Sequence, residues 1–236
     1  MLLATAICTL AQIVPLGLMR TPPPMPMAPP GPDEAAAGAV ALLPGRRPTL
    51  PVMWPLLAFT GLYILVYAGE SVKYAFLPIY MNEELQLPAA VAGAVIGIQP
   101  LVELLIMPFS VLLARRIGYL QLMSIGAMFG VGANLCFAFT GSAAGMFASQ
   151  ILMGGVWGIF AALGIIVAQR LLPTAVATAS AIFMSSTAIS SALGGLTGGI
   201  GAFVLGLPLV FLIPGLFGVL ATIGLAIMAK TTHLDR

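Results

Sequence analysis

Seven long runs of apolar residues dominate this sequence and leave few folds open to it. Each run is at least 18 residues long, close to the roughly 20 residues that a helix needs to cross a hydrocarbon core. The runs lack the alternation of barrel strands, and helices satisfy their own backbone hydrogen bonds in lipid. The sequence therefore predicts an all-α integral membrane protein of about seven transmembrane helices. The predicted helices span residues 2–19, 53–81, 89–113, 119–140, 144–168, 176–204 and 208–229.

Composition excludes several classes of protein. Only 7% of the residues are charged, whereas a soluble domain carries roughly 25%. The net charge is +2 and no basic run exceeds two residues, so nucleic acid is not an expected partner. Cys8 and Cys136 lie in apolar runs, which favours packing over a disulfide. We find no pattern of catalytic, metal-binding or phosphate-binding residues, so neither an enzyme nor a cofactor is predicted.

A proline-rich stretch separates the first two apolar runs. Residues 20–52 contain ten prolines, which prevent a continuous helix and predict a linker. The first run could also be a secretory signal peptide, although no Lys or Arg precedes it and Arg20 follows it. The predicted division of the chain is a transmembrane helix (1–19), a linker (20–52), a six-helix unit (53–230) and a tail (231–236).

Lysine and arginine residues indicate the orientation, because they accumulate in cytoplasmic loops. With the N-terminus outside, eight of the nine basic residues fall on the cytoplasmic side. These eight are Arg20, Arg46, Arg47, Arg115, Arg116, Arg170, Lys230 and Arg236. The linker and the C-terminal tail are then cytoplasmic, while Glu83 and Glu84 lie in an external loop. A chain that starts on a helix entering from outside is expected to be a fragment of a longer protein.

Three ionisable residues fall at bilayer depth, where each costs about 2.5 to 3.5 kcal/mol on insertion scales and therefore suggests a function. Glu70 and Lys73 lie three positions apart on one helix face and could simply pair. Glu103 lies about 16 Å from the cytoplasmic end of its helix, near the midplane, and Lys73 about 28 Å from that side. A direct contact between Lys73 and Glu103 is therefore not predicted. Glu103 could exchange a proton, or could only hydrogen-bond a neighbouring helix.

Two prolines, Pro100 and Pro108, bracket Glu103. Kinked or broken helices near the midplane often line transport sites, and carbonyls freed by the prolines could face a cavity. The other polar or amphipathic candidates for a substrate or proton pathway are Tyr74, Gln99, Asn134, Trp157, Ser185 and Ser186. For Trp157, core packing and stacking on a ligand both remain open.

Small residues four positions apart indicate where helices approach closely in lipid. Such pairs are Gly126 with Gly130, Gly194 with Gly198, and Gly195 with Gly199. We predict that these glycines are packing positions. The hydroxyl-rich segment 185–191 just before them can equally bond the preceding turn of its own helix.

Two connections and one loop resemble those of a known family. The connections are Leu77–Pro88, followed by Leu101-Val102-Glu103 and Pro108, and Gln169–Pro173; the loop is Arg115-Arg116-Ile117-Gly118. Together they resemble the sugar efflux transporters of the major facilitator superfamily, over residues 53–229. The connections match those from the seventh to the eighth helix and from the tenth to the eleventh. The loop looks like a degraded form of the superfamily's cytoplasmic motif Gly-x-x-x-Asp-Arg-x-Gly-Arg, with Arg115 in place of Asp.

The resemblance implies that the chain is the last seven helices of a twelve-helix transporter in the bacterial cytoplasmic membrane. It implies export of a sugar, a sugar-like molecule or a drug in exchange for protons. It also implies that residues 53–140 and 144–229 form three-helix units of inverted topology. The family's eleventh helix tends to carry Asn and Arg, whereas Ser185 and Ala188 stand there. The expected partners are the lipid bilayer, the small-molecule substrate, protons, and a missing N-terminal half or a second copy.

Two other interpretations are compatible with the helix count. A truncated gene product would be inactive, or active only with a partner that supplies the missing half. A seven-helix receptor or photoreceptor would have the same orientation. A retinal protein, however, needs a Lys in its last helix, and the run 208–229 has none.

Overall fold

A computed structural model describes residues 50–232, which fold into six long helices. These are α1 (Leu50–Ile79), α2 (Ala89–Ile117), α3 (Tyr119–Phe139), α4 (Ala143–Leu171), α5 (Val176–Leu205) and α6 (Leu212–Thr231). A π-helical turn, Tyr80–Glu84, follows α1, and the short 3-10 turns Pro173–Ala175 and Leu209–Phe211 precede α5 and α6. The described range contains no strand, which confirms the all-α prediction.

Six of the seven predicted segments are confirmed as helices long and apolar enough to cross a membrane. The first predicted segment, 2–19, lies outside the described residues, as do most of the linker and residues 233–236. The first helix begins at Leu50, inside the range predicted as linker. Pro51 permits this start because the first turn of a helix does not use its backbone N–H groups.

Glycines end two of the helices in backbone conformations that other residues rarely adopt. Gly118 has a φ of 99° and is the whole connection between α2 and α3, and Gly206 has a φ of 70° after α5. Glycine takes these conformations without steric cost because it has no Cβ. The turns are short, so consecutive helices alternate in direction, and α2, α4 and α6 end at the same face of the bundle.

The helices pack in pairs that repeat across the bundle. Helix α2 lies along α4 and α5 lies along α1, while α3 packs on α4 and α6 packs on α1. The central pair is α3 with α6. Exchanging α1–α3 for α4–α6 leaves this set of pairs unchanged. The pairing therefore agrees with two three-helix repeats of inverted topology.

One of the two predicted glycine pairs in α5 forms the contact with α1. A Cβ on Gly194 would lie 2.5 Å from the Ala68 carbonyl oxygen, and one on Gly198 would lie 2.8 Å from the Phe76 ring. Gly195 and Gly199 are exposed and a Cβ there would meet nothing within 4 Å. Their prediction as packing positions is therefore wrong within this bundle. The four-residue spacing identifies small-residue pairs but not the face that a neighbouring helix covers.

Replacing Gly194 by Ala should destabilise the bundle, whereas the same change at Gly195 should not. The methyl group added by Gly194→Ala would force α1 and α5 apart, and this overpacking should lower the free energy of unfolding by about 1–3 kcal/mol. Gly195→Ala adds a methyl on an open face and improves helix propensity. Thermal unfolding in detergent, monitored by circular dichroism, compares the two variants. Equal unfolding temperatures would show that the seam between α1 and α5 contributes little.

Candidate functional site

A cleft of about 180 Å³ lies where α1, α2 and α4 meet. Its lining side chains are Tyr67, Glu70 and Tyr74 from α1, Gln99 and Glu103 from α2, and Trp157 from α4. Five of these six residues are candidates predicted from the sequence. Tyr67 was missed, although Tyr67, Glu70 and Tyr74 follow the spacing that places residues on one helix face.

Two of the cleft residues form a buried polar triad with Lys73. Lys73 Nζ lies 2.6 Å from Glu70 Oε1, which confirms the pair expected from their spacing. Lys73 Nζ also donates to Gln99 Oε1, and Gln99 Nε2 donates to Glu70 Oε1 at 3.0 Å. The exposed fractions of Glu70, Lys73 and Gln99 are only 6%, 1% and 2%. Within the triad the Lys73 ammonium neutralises the Glu70 carboxylate, and the hydrogen bonds of Gln99 join α2 to α1.

Glu103 lies one helical turn beyond Gln99 and differs from Glu70 in forming no ion pair with Lys73. It is half-buried and makes no hydrogen bond or ion pair within residues 50–232. Lys73 donates its hydrogen bonds to Glu70 and Gln99. The absence of a direct Lys73–Glu103 contact agrees with the different depths expected for the two residues in the membrane. Glu103 is thus the carboxyl group of the cleft that has no ion-pair partner among the described residues.

Two glycines of α4 determine where α2 lies, and with it Gln99 and Glu103. A Cβ on Gly154 would lie 2.9 Å from the Gln99 carbonyl oxygen, and one on Gly158 would lie 3.3 Å from the Glu103 carbonyl oxygen. Ser110 reinforces this contact, because its hydroxyl donates to the Gly158 carbonyl at 2.7 Å. Gly154 and Gly158 were missed in the sequence, although they show the same four-residue spacing as the predicted pairs.

Aromatic rings form one wall of the cleft. The Trp157 ring packs edge-on against Tyr67, with ring centroids 5.1 Å apart, and against Tyr63. Its Nε1 is buried and has no hydrogen-bond partner among the described residues. Tyr74 is 54% exposed and lies beneath the ammonium of Lys73, whose Nζ is 4.2 Å from the ring centroid. Trp157 therefore packs in the core and also faces the cleft.

Three predicted site residues lie away from this cleft. Asn134 is buried beside a much smaller cavity lined by α1, α3, α4 and α6, and its Nδ2 donates to the Gly130 carbonyl at 2.8 Å. The Ser185 hydroxyl is exposed and donates to the Ala181 carbonyl within its own helix. Ser186 is fully buried on the same helix face as Gly194. None of the three lines the cleft.

The predicted loop motif forms the turn between α2 and α3. Arg115 and Arg116 are exposed in the last turn of α2, and Gly118 ends that helix. The Arg170 guanidinium lies 4.2 Å from the centroid of the Tyr119 ring, at the start of α3.

Comparison with known proteins identifies the family. The sequence model of the Major Facilitator Superfamily matches residues 59–234, which include all of the cleft. The chain belongs to this superfamily. Family membership and the six apolar helices make it an integral, multi-pass membrane protein of a transporter family.

Two curated relatives have names that describe sugar efflux transporters. The relative from Deinococcus radiodurans is 28% identical over 214 residues, which cover 89% of this chain and 52% of the relative. Sugar efflux transporter A from Dickeya chrysanthemi is 27% identical over 149 residues, which cover 63% of this chain and 38% of the relative. The chain thus spans about half the length of the Deinococcus relative. No solved structure matches the chain significantly.

Proposed function

We propose that this chain is the C-terminal half of a secondary transporter that exports a sugar or a similar small molecule in exchange for protons. The observation that carries the proposal is the cleft, which is lined by aromatic rings and by Glu70 and Trp157, each with a buried polar atom that lacks a partner among the described residues. Glu70 Oε2 can only accept a hydrogen bond while ionised, and Trp157 Nε1 can only donate one. A sugar hydroxyl both donates and accepts, so sugars suit such a site. The names of the two relatives support the same substrate class.

Proton exchange in this proposal is assigned to Glu103. Its carboxyl lies in the same cleft as the proposed substrate and has no neighbouring cation that binds it directly. Ionisable groups are costly inside membrane segments and are therefore rare there. Those that occur mark ion and proton pathways. Proton and substrate would then be linked because both occupy one cavity, which opens to the two sides of the membrane in turn.

The proposal includes a second set of helices that completes the transporter. Helices α2 and α5 bury the smallest shares of their apolar windows among the described helices. A missing N-terminal half or a second copy of the chain could cover them. The proposed orientation places the arginine-bearing ends of α2 and α4 and the Lys230 end of α6 in the cytoplasm, in the bacterial inner membrane.

Transport by the purified chain in proteoliposomes tests the proposed function. We expect a pH gradient to drive accumulation of a radiolabelled disaccharide, either with the chain alone or after adding the half of the Deinococcus relative that this chain does not cover. Activity of the chain alone would support a second copy, and activity only with the added half would support a missing half. A lack of transport in both cases, with each polypeptide folded, would contradict the proposal.

Replacing Trp157 by Phe should weaken sugar binding while preserving the aromatic wall. Phe retains a ring for packing against Tyr67 but lacks the N–H group, and one hydrogen bond contributes up to about tenfold in affinity. Trp54→Phe is the matched control, because Trp54 is exposed at the start of α1, away from the cleft. Equilibrium binding of the sugar to both variants measures the difference. Unchanged affinity of Trp157→Phe would remove Trp157 Nε1 from the site.

A further inference from the structure

The ammonium group of Lys73 lies next to the cleft residues, yet its hydrogen-bond donors are already in use. An ammonium group has three N–H donors and no acceptor. Lys73 Nζ donates to Glu70 Oε1 and to Gln99 Oε1, and the centroid of the Tyr74 ring lies 4.2 Å from it. The Lys73 side chain is buried and does not line the cleft. Lys73 therefore offers no free donor to a ligand in the cleft.

No other basic side chain of residues 50–232 lies near the cleft. The remaining basic residues in this range are Arg115, Arg116, Arg170 and Lys230. All four lie in the last turns of α2, α4 and α6, at one face of the bundle. Along α2, Arg115 lies about 18 Å beyond Glu103. A ligand in the cleft would therefore meet no unpaired cation from this part of the chain.

Two carboxyl groups line the cleft and keep its formal charge from becoming positive. Glu70 cancels the charge of Lys73, and its Oε1 accepts from both Lys73 and Gln99, while its Oε2 has no partner among the described residues. Glu103 adds a negative charge when it is ionised and none when it is protonated. The donors that line the cleft, such as Trp157 Nε1, are uncharged.

A cleft of this kind treats neutral and anionic ligands differently. An anion leaves water readily only if the protein replaces its hydration with donors and with a cation, and burying an unpaired charge costs far more than burying a hydroxyl. A sugar carboxylate or phosphate would meet carboxyl groups and uncharged donors. A neutral sugar loses less hydration, and its hydroxyls can still bond Glu70 Oε2 and Trp157 Nε1.

We propose that the cleft selects neutral sugars over sugars that carry a carboxylate or a phosphate, and that Gln99 determines this specificity by holding the Lys73 ammonium away from the ligand. The inference rests on the proposed function, whose substrate class it narrows. Gln99 Nε2 donates to Glu70 Oε1 at 3.0 Å, and this contact orients the amide so that its oxygen accepts from Lys73 Nζ. Without that oxygen, one N–H of Lys73 loses its acceptor and becomes available to an anionic ligand.

A disaccharide and its uronic acid test this selectivity. Cellobiose and cellobiouronic acid differ only in one CH2OH group, which is oxidised to a carboxylate in the acid. Equilibrium binding to the purified full chain in detergent, with the added half of the Deinococcus relative if transport requires it, gives both dissociation constants. We expect cellobiose to bind at least about tenfold more tightly, because the cleft does not replace the hydrogen bonds that the carboxylate makes with water.

Replacing Gln99 by Met should reduce this preference for cellobiose by about tenfold. Met has a similar length but no amide, so one N–H of Lys73 can form a charge-assisted hydrogen bond with the carboxylate of the ligand. Gln99→Glu retains an acceptor for Lys73 and should retain the preference. Gln150→Met is the matched control, because Gln150 is buried in α4 and does not line the cleft. Its ratio of affinities should equal that of the unmodified chain.

The possible failures of this experiment are distinguishable. Equal binding of the two compounds to the unmodified chain would overturn the inference and leave the proposed sugar site in place, and this comparison does not depend on the folding of any variant. Binding of neither compound would contradict the proposed function and the inference with it. An unchanged ratio in folded Gln99→Met, or an equal shift in Gln150→Met, would overturn the role of Gln99. Damage to the fold weakens both compounds alike and leaves the ratio unchanged, and thermal unfolding verifies that each variant is folded.

Discussion

Glu103→Gln should abolish the response of transport to a pH gradient while leaving sugar exchange across the membrane intact. Gln keeps the size and the hydrogen-bonding groups of Glu103 but cannot take up or release a proton. One pH unit corresponds to about 1.4 kcal/mol, so exchange of one proton for each sugar would support an approximately tenfold sugar gradient. In the variant we expect the pH gradient to support no sugar gradient, so that the sugar concentrations on the two sides of the membrane become equal. Accumulation of labelled sugar in proteoliposomes, with and without a pH gradient, measures the change.

Glu83→Gln is the matched control for this experiment. Glu83 is exposed in the turn after α1 and does not line the cleft, so its replacement should leave the coupling unchanged. Proton-driven accumulation by Glu103→Gln at the level of the unmodified chain would assign Glu103 to hydrogen bonding alone. Loss of both coupled transport and exchange would indicate damage to the substrate site instead, which also contradicts the proposed role.

Lys73→Met should destabilise the bundle more than any other single change considered. It leaves the Glu70 carboxylate buried without its cation, and removing one partner of a buried ion pair costs about 3–5 kcal/mol. The double variant Glu70→Gln with Lys73→Met removes both charges and should recover most of this loss. Thermal unfolding in detergent compares the single and double variants.

The matched control is Lys230→Met, in which an exposed lysine of α6 takes the same substitution. Its unfolding temperature should remain close to that of the unmodified chain. A double variant as unstable as Lys73→Met would mean that the ammonium acts through Gln99 and Tyr74, its other two contacts, more than through Glu70. If the double variant is stable and retains coupled transport, the Glu70–Lys73 pair has a structural role and Glu103 remains the proposed proton carrier.

Features within one helix could be predicted from the sequence, and features between helices largely could not. The apolar runs predict the six described helices because membrane thickness fixes the length of a crossing. The pairing of Glu70 with Lys73 follows from their spacing on α1. Gln99 appeared only as one polar candidate, because its contacts with Lys73 and Glu70 depend on how closely α1 and α2 approach.

The glycine pairs illustrate the same limit. Gly194–Gly198 and Gly195–Gly199 are equivalent in spacing, yet only the first pair faces α1. The spacing shows which residues share one face of a helix. Which face contacts a neighbour depends on the rotation of that helix in the bundle, and this rotation depends on all of its neighbours. Ser185 and Ser186 were adjacent candidates for the same reason, and the structure turns one outward and buries the other.

Because the backbone of α2 contacts Gly154 and Gly158, α4 fixes the position of the cleft along the membrane normal. Sliding α2 by one turn, about 5.4 Å, toward the end of α4 would bring the Glu103 carbonyl opposite Ala162, which carries a methyl group where Gly158 has only hydrogen. The hydrogen bonds of Gln99 with Lys73 and Glu70 fix the same position from α1. Any movement of α2 along the membrane normal must therefore break its contacts with both neighbours, so we expect Gln99 and Glu103 to move only together with α1 and α4.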